Sequence, residues 1–111
     1  MEYIFVYGQF RDSGRKLLGT DAVFCGRAWI SGKLYKVDDF YPGWIPASSG
    51  KVWGEVYLFN PENLPQMDEY EGDEYTRVKV RCSTDIECQV YMWNRPVDGF
   101  KEIKSGDWQL R

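Results

Sequence analysis

From Tyr3 to Tyr7 the chain reads Tyr-Ile-Phe-Val-Tyr, apolar or aromatic at every position until it meets Gly8. An unbroken run of this kind fits a strand buried on both faces, in the middle of a sheet. Gln9 to Gly14 is polar and predicts a loop, and Arg15 to Leu18 suits a brief helical turn. Ala22 to Val37 returns to aromatic and β-branched residues, interrupted by Gly26 and Gly32, which predicts two short strands or one strongly bent strand. Asp38 to Lys51 carries Pro42, Gly43, Pro46 and Gly50, a breaker density that predicts an ordered surface loop. Its aromatics Phe40, Tyr41 and Trp44 either wall a pocket or pack the loop over the edge of the core.

Val52 to Phe59 is a further strand, and a helix follows it. Asn60 can cap that helix with Pro61 in its first position, unless Pro65 moves the cap to Asn63. Leu64, Met67 and Glu71 share one side at helical spacing, and Gly72 is the natural stop. Tyr75 to Cys82 alternates, with Tyr75, Arg77, Lys79 and Arg81 on one face and Thr76, Val78, Val80 and Cys82 on the other. With Ile86 to Trp93 it predicts an antiparallel hairpin. Asn94 to Arg111 is irregular, pinned by Ile103 and Trp108. The sum is an α/β protein of the α+β type: one domain over residues 1–111, a small mixed, barrel-like β-sheet with one main helix packed across it. A Rossmann arrangement does not fit, because no glycine-rich turn joins a strand to a helix.

Composition narrows the function more than the fold. The chain has 111 residues, 43% apolar and 28% charged, with a formal charge of -3 and cations scattered singly among acids. That leaves no basic face for nucleic acid. No apolar stretch is long enough to cross a bilayer, and the start lacks the marks of an export signal, so a cytoplasmic protein with no membrane partner is expected. Cys25, Cys82 and Cys88 are odd in number and read as reduced core residues. Most decisive is the count of histidines, which is 0. Imidazole-dependent hydrolases and most zinc sites cannot be built, so carboxylates or backbone groups must move any proton.

Two segments carry candidate chemistry. At Tyr7-Gly8-Gln9-Phe10-Arg11 a buried strand turns at glycine, leaving the amides of Gln9 and Phe10 free to bind a carboxylate or an oxyanion; such corners are also common as plain structure. The second is the acidic run from Asp68 to Glu74, placed where a helix C-terminus is itself partly negative. Glu71 lies on the apolar side, where an unpartnered carboxylate acquires a raised pKa suited to proton transfer. The plainer reading of the run is a solvated helix end, and a calcium loop fits poorly because the alternating acids are missing.

Taken together these segments resemble the gamma-glutamylcyclotransferase-like family. Tyr7-Gly8-Gln9-Phe10-Arg11 is similar to its Tyr-Gly-Thr-Leu-Arg signature, Val52-Trp53-Gly54-Glu55-Val56-Tyr57 to its Val-x-Gly-Glu-Val-Tyr strand, and Met67-Asp68-Glu69-Tyr70-Glu71-Gly72 to its Leu-Asp-x-x-Glu-Gly helix end. Tyr75-x-Arg77 continues that last segment, while Tyr91 and the closing Ile103 to Trp108 resemble the small bacterial members. The resemblance implies a small mixed barrel whose signature loop and helix-end glutamate meet at one pocket. Glu71 would be the catalytic acid/base, and Tyr7, Gly8, Gln9 and Phe10 would hold the glutamyl group, with Tyr75 or Tyr91 lining the pocket. The implied reaction cyclises a small-molecule gamma-glutamyl amide, releasing 5-oxoproline and a free amine with no cofactor and no metal; a monomer is expected. Gln9 and Phe10 depart from the hydroxyl residue and leucine of the signature, which removes any side-chain hydroxyl contact there. The rival reading is a non-catalytic binding or structural protein that keeps the fold, against which the retained Glu71 argues.

Overall fold

The apolar run at the start of the chain becomes the middle of a sheet because both its neighbours cover it. In the computed structural model, which describes residues 1–8 and 18–111, it forms β1 (Glu2–Val6). There follow β2 (Val23–Ser31), β3 (Lys33–Lys36), β4 (Pro42–Ile45), β5 (Lys51–Phe59), helix α1 (Leu64–Glu71), β6 (Tyr75–Arg81), β7 (Glu87–Trp93) and the short β8 (Lys101–Glu102). Five strands form one sheet in the order β2-β5-β1-β7-β6, and three form a second in the order β4-β3-β8. β1 runs antiparallel to β5, Ile4 opposite Tyr57, and parallel to β7, Ile4 opposite Gln89, so the sheet is mixed as the sequence predicts. The sheets do not close into a barrel.

Alternation along β1 sends its side chains into two cores. Phe5 and Tyr7 pack with Ile30, Leu34, Trp44, Val56 and Val90, between the two sheets. Ile4 and Val6 pack with Phe59, Leu64 and Met67 beneath the helix. Gly54 on β5 allows this closeness, since a Cβ there would lie 2.3 Å from the Val6 carbonyl oxygen. The β6–β7 hairpin has the expected faces: Val78 and Val80 pack on the inter-sheet core, and Tyr75 packs on the helix side.

The segment from Ala22 to Val37 resolves into two strands of different sheets. Gly26 makes a register shift between Phe24 and itself, and Gly32, at φ 144°, turns the chain from β2 into β3 where a side chain would collide with the Ile45 carbonyl. Asp38 to Lys51 is not loop throughout. Pro42–Ile45 is strand β4, which pairs with β3 because Trp44 buries its ring between the sheets and donates its indole N–H to the Ser31 carbonyl at 3.1 Å. Proline is admissible there because β4 lies at the edge of its sheet. The C-terminal segment is pinned as expected by buried Ile103 and Trp108, with the Trp53 N–H donating to the Gly106 carbonyl at 2.8 Å. Leu18 is buried under the helix, while the loop predicted over 9–14 and most of the turn over 15–18 lie outside the described residues.

One side chain joins the two sheets by hydrogen bonds. The Tyr7 hydroxyl donates to the Tyr91 carbonyl of β7 at 2.6 Å and accepts from the Trp44 N–H of β4 at 3.1 Å. Burial pushes this hydroxyl well above the ordinary tyrosine pKa, so it stays a donor. Replacing Tyr7 by Phe keeps the ring and leaves the buried Trp44 N–H without this acceptor. Tyr7→Phe is therefore expected to lose about 1–3 kcal/mol of stability, read as a lower urea midpoint with an unchanged far-ultraviolet spectrum. An unaltered midpoint would show that the bridge contributes nothing net.

Candidate active site

Glu71 reaches the sheet because the helix carries it there. Leu64 and Met67, seven and four residues before it, are buried against the sheet, and Glu71 continues the same side. The helix ends at Gly72, whose φ of 81° a side chain would disfavour and whose N–H donates to the Asp68 carbonyl at 3.0 Å. Its entry is a short 3-10 turn, Pro61–Asn63, where the Asn60 side chain accepts from the Glu62 N–H, while Asn63 donates its amide to the Leu18 carbonyl. Asn60 thus caps the turn, and the helix proper starts after Asn63.

Glu71, Tyr7, Gly8, Tyr75 and Tyr91 line one narrow cavity of about 30 Å³, roofed by Tyr41, Pro42 and Tyr70. Gln9 and Phe10 lie outside the described residues. A second cavity of about 410 Å³ opens on the other side of Tyr41, Tyr70, Glu71 and Tyr75, which wall both. Glu71 therefore stands at the neck between an inner corner and an outer basin. Gly8 keeps the inner corner tight, since a Cβ there would sit 2.7 Å from the Pro42 ring.

Two carboxylates on one helix have opposite electrostatics. The Glu71 carboxylate makes no hydrogen bond or ion pair with the described residues, and burial alone pushes its pKa up to about 7. Asp68 is held below the ordinary carboxylate range by the Arg77 guanidinium, which meets it through Nε at 2.9 Å and Nη2 at 3.2 Å. Asp68 also accepts the Tyr91 hydroxyl at 2.6 Å. Arg77 donates onward to Gln89 at 3.2 Å, and Gln89 to Glu2 at 2.8 Å, extending the network across three strands. A proton resides readily on Glu71 near neutral pH and not on Asp68.

The three site tyrosines are hydrogen-bonded donors. Tyr7 donates to Tyr91 O, Tyr75 to the Pro42 carbonyl at 2.7 Å, and Tyr91 to Asp68. Burial pushes the Tyr75 and Tyr91 hydroxyls well above their ordinary pKa, with the negative charge of Glu71 adding at Tyr75 and the hydrogen bond and charge of Asp68 adding at Tyr91. They present rings to the cavity and fix its walls. Among the loop aromatics, Tyr41 walls the site, Trp44 is in the core and Phe40 is exposed. Tyr70, Pro42 and the Asp68–Arg77 pair were not anticipated. Tyr70 neighbours Glu71 in sequence, and Arg77 stood on the same predicted face as Tyr75, so their position was partly readable; the role of Pro42 needed the strand it starts.

Residues 4–110 match the model of the family described as gamma-glutamyl cyclotransferase, AIG2-like. The gamma-glutamylcyclotransferase family protein YtfP of Escherichia coli (strain K12) is 38% identical over 109 residues, covering 95% of this chain and 94% of that protein. The solution NMR structure of YtfP from Escherichia coli superposes with a TM-score of 0.77 at 37% identity, over 96% of this chain and 95% of the other. The crystal structure of an uncharacterised protein from Pyrococcus horikoshii superposes with a TM-score of 0.81 at 28% identity, over 98% and 91%. With its sheet order, helix and acidic neck in place, this chain belongs to the gamma-glutamyl cyclotransferase, AIG2-like family.

Proposed function

We propose that this chain is a cyclotransferase that converts a gamma-glutamyl amide into 5-oxoproline and a free amine, with Glu71 as its general acid and base. The observation that carries the reading is Glu71 itself: a partly buried carboxylate without a partner among the described residues, poised near neutrality at the junction of two cavities. The substrate's α-amine nitrogen attacks its own γ-carbonyl carbon. Glu71 takes the amine proton as the lactam C–N bond forms, and gives it to the departing nitrogen as the amide C–N bond breaks. The attack is intramolecular, so holding the glutamyl chain folded against the Tyr7–Gly8 corner supplies much of the rate. Backbone N–H groups at that corner would receive the oxyanion.

The reading is tested by incubating the protein with a panel of gamma-glutamyl amides and measuring 5-oxoproline and free amine; release of neither from any amide overturns it. With a competent substrate, Glu71→Gln is expected to lower turnover by about a hundredfold or more, the usual contribution of a positioned proton-transfer group. Near-parent turnover in the folded variant would remove Glu71 from the chemistry. In the parent, kcat/KM should rise with pH through about 7 as Glu71 loses its proton, and that limb should be missing from the variant.

Stability should carry the same signature with the opposite slope. The unfolded chain releases this proton near the ordinary 4.5 and the folded chain near 7, so between those values the folded state holds the extra proton and stability falls as pH rises. The cost is absent below about 4.5 and complete above about 7. Glu71→Gln should thus match the parent in acid and exceed it by about 1–3 kcal/mol above pH 7, measured by urea unfolding across pH. A stability difference independent of pH would contradict the burial of this carboxyl.

A further inference from the structure

Strand pairing gathers cations that the sequence scatters. β8 runs antiparallel to β3 with Lys101 directly opposite Lys36, and the turn that follows, closed by the Gly106 N–H donating to the Ile103 carbonyl at 2.9 Å, carries Lys104. The three lysines line a cavity of about 660 Å³, and none of its lining residues belongs to the cavities around Glu71. Like charges set directly opposite in a ladder repel, and a chain of formal charge -3 has no general excess of cations to place there. Lys101 and Lys104 have no ion-pair partner among the described residues. Lys36 meets only Asp39, at 3.4 Å, and that carboxylate is 84% exposed. Glu102 is the one acidic side chain in the lining, and the Arg111 guanidinium is occupied by the Trp108 ring at 3.9 Å and the Trp108 carbonyl at 2.7 Å.

Ammonium groups act as point charges suited to phosphate, whereas the planar, bidentate capture of a carboxylate calls for a free guanidinium, which this basin lacks. An exposed ion pair raises affinity by only about two- to fivefold, so a lone phosphate is held weakly and an anion that meets all three lysines together gains the product. We propose that the β3–β8 basin is a binding site, separate from the Glu71 site, for a ligand bearing a compact run of phosphates. The cavity is larger than a lone phosphate fills and lies in the ordinary range for small-molecule sites. Leu110, 70% exposed in the lining, offers apolar contact to an organic body. The inference stands apart from the cyclotransferase reading, since it uses no residue of that site.

Calorimetric titration of the whole chain with orthophosphate, tripolyphosphate, citrate and adenosine triphosphate tests this. Tripolyphosphate is expected to bind about tenfold or more tighter than orthophosphate, to bind tighter than citrate, and to weaken by about tenfold as salt rises from about 20 to about 200 mM. Adenosine triphosphate separates a free from a conjugated oligophosphate: affinity equal to or above that of tripolyphosphate assigns the site to a ligand with an organic body, and lower affinity to the free ion. K101Q/K104Q should lose about tenfold or more in tripolyphosphate affinity, while K33Q/K79Q, which removes the same charge from outside the basin, should stay within about twofold of the parent. All four lysines are exposed, so both variants should keep the parent's far-ultraviolet spectrum. Tripolyphosphate should also raise the urea midpoint of the parent and leave that of K101Q/K104Q unmoved. No binding of tripolyphosphate, binding no tighter than that of orthophosphate or citrate, undiminished binding in K101Q/K104Q, or an equal loss in K33Q/K79Q would overturn the site.

Discussion

The geometry of the site depends on the double hydrogen bond of the Tyr7 hydroxyl, which donates to the Tyr91 carbonyl and accepts from the Trp44 N–H. β1 supplies the tyrosine, β7 the acceptor and β4 the donor, so three strands from two sheets are held at one point. All three contribute to the cavity beside it: Gly8 follows Tyr7, Tyr91 is its own lining residue, and Pro42 lies two residues before Trp44. Such a bond in a buried setting is costly to leave half made, which gives the walls a single arrangement. The Tyr75 hydroxyl repeats the device at the rim by binding the Pro42 carbonyl, so the β4 wall is tied from two directions.

Against these fixed walls the helix end presents two carboxylates that differ in what surrounds them. Asp68 meets a guanidinium and a phenol, and its charge is satisfied. Glu71, one turn later, meets rings and a proline and has its charge disfavoured. Asp68 also fixes Tyr91, whose carbonyl in turn receives Tyr7, so the satisfied acid belongs to the scaffold that leaves the other one unsatisfied. The division follows from helical spacing and from Arg77 standing on the strand face opposite.

Much of this was legible in the chain. The apolar run of β1 demanded burial on both faces, and it received neighbours of both polarities of pairing. The alternation from Tyr75 to Cys82 set the two faces of the hairpin, and the spacing Leu64, Met67, Glu71 placed the acid inward before any contact was known. What stayed hidden was long-range. Pro42-Gly43-Trp44-Ile45 has the composition of a turn and forms a strand only because β3 pairs with it and the inter-sheet core accepts Trp44. Likewise, nothing in the local sequence couples Arg77 to Asp68 or Tyr7 to Trp44, pairs that the sheet order brings together.

A chain with 0 histidines that carried out the proposed cyclisation would have to obtain neutral-pH proton transfer from a group whose ordinary pKa is wrong for it. A carboxyl near 4.5 would accept a proton weakly and hold it too briefly to return it; near 7 both forms are populated, as in an imidazole. Burial achieves that shift by making the ionised form unfavourable in the folded state, which is a loss of stability at working pH. The loss can be sustained only if the surrounding walls do not relax to admit water or a counter-charge. The Tyr7 and Tyr75 bonds, the Arg77–Asp68 pair and the close contact of Gly8 with Pro42 all oppose that relaxation. On the mechanism proposed above, rigidity at the walls and proton transfer at Glu71 are therefore one constraint: loosening the first lowers the pKa of the second toward its ordinary value and removes the property that the proposed chemistry needs.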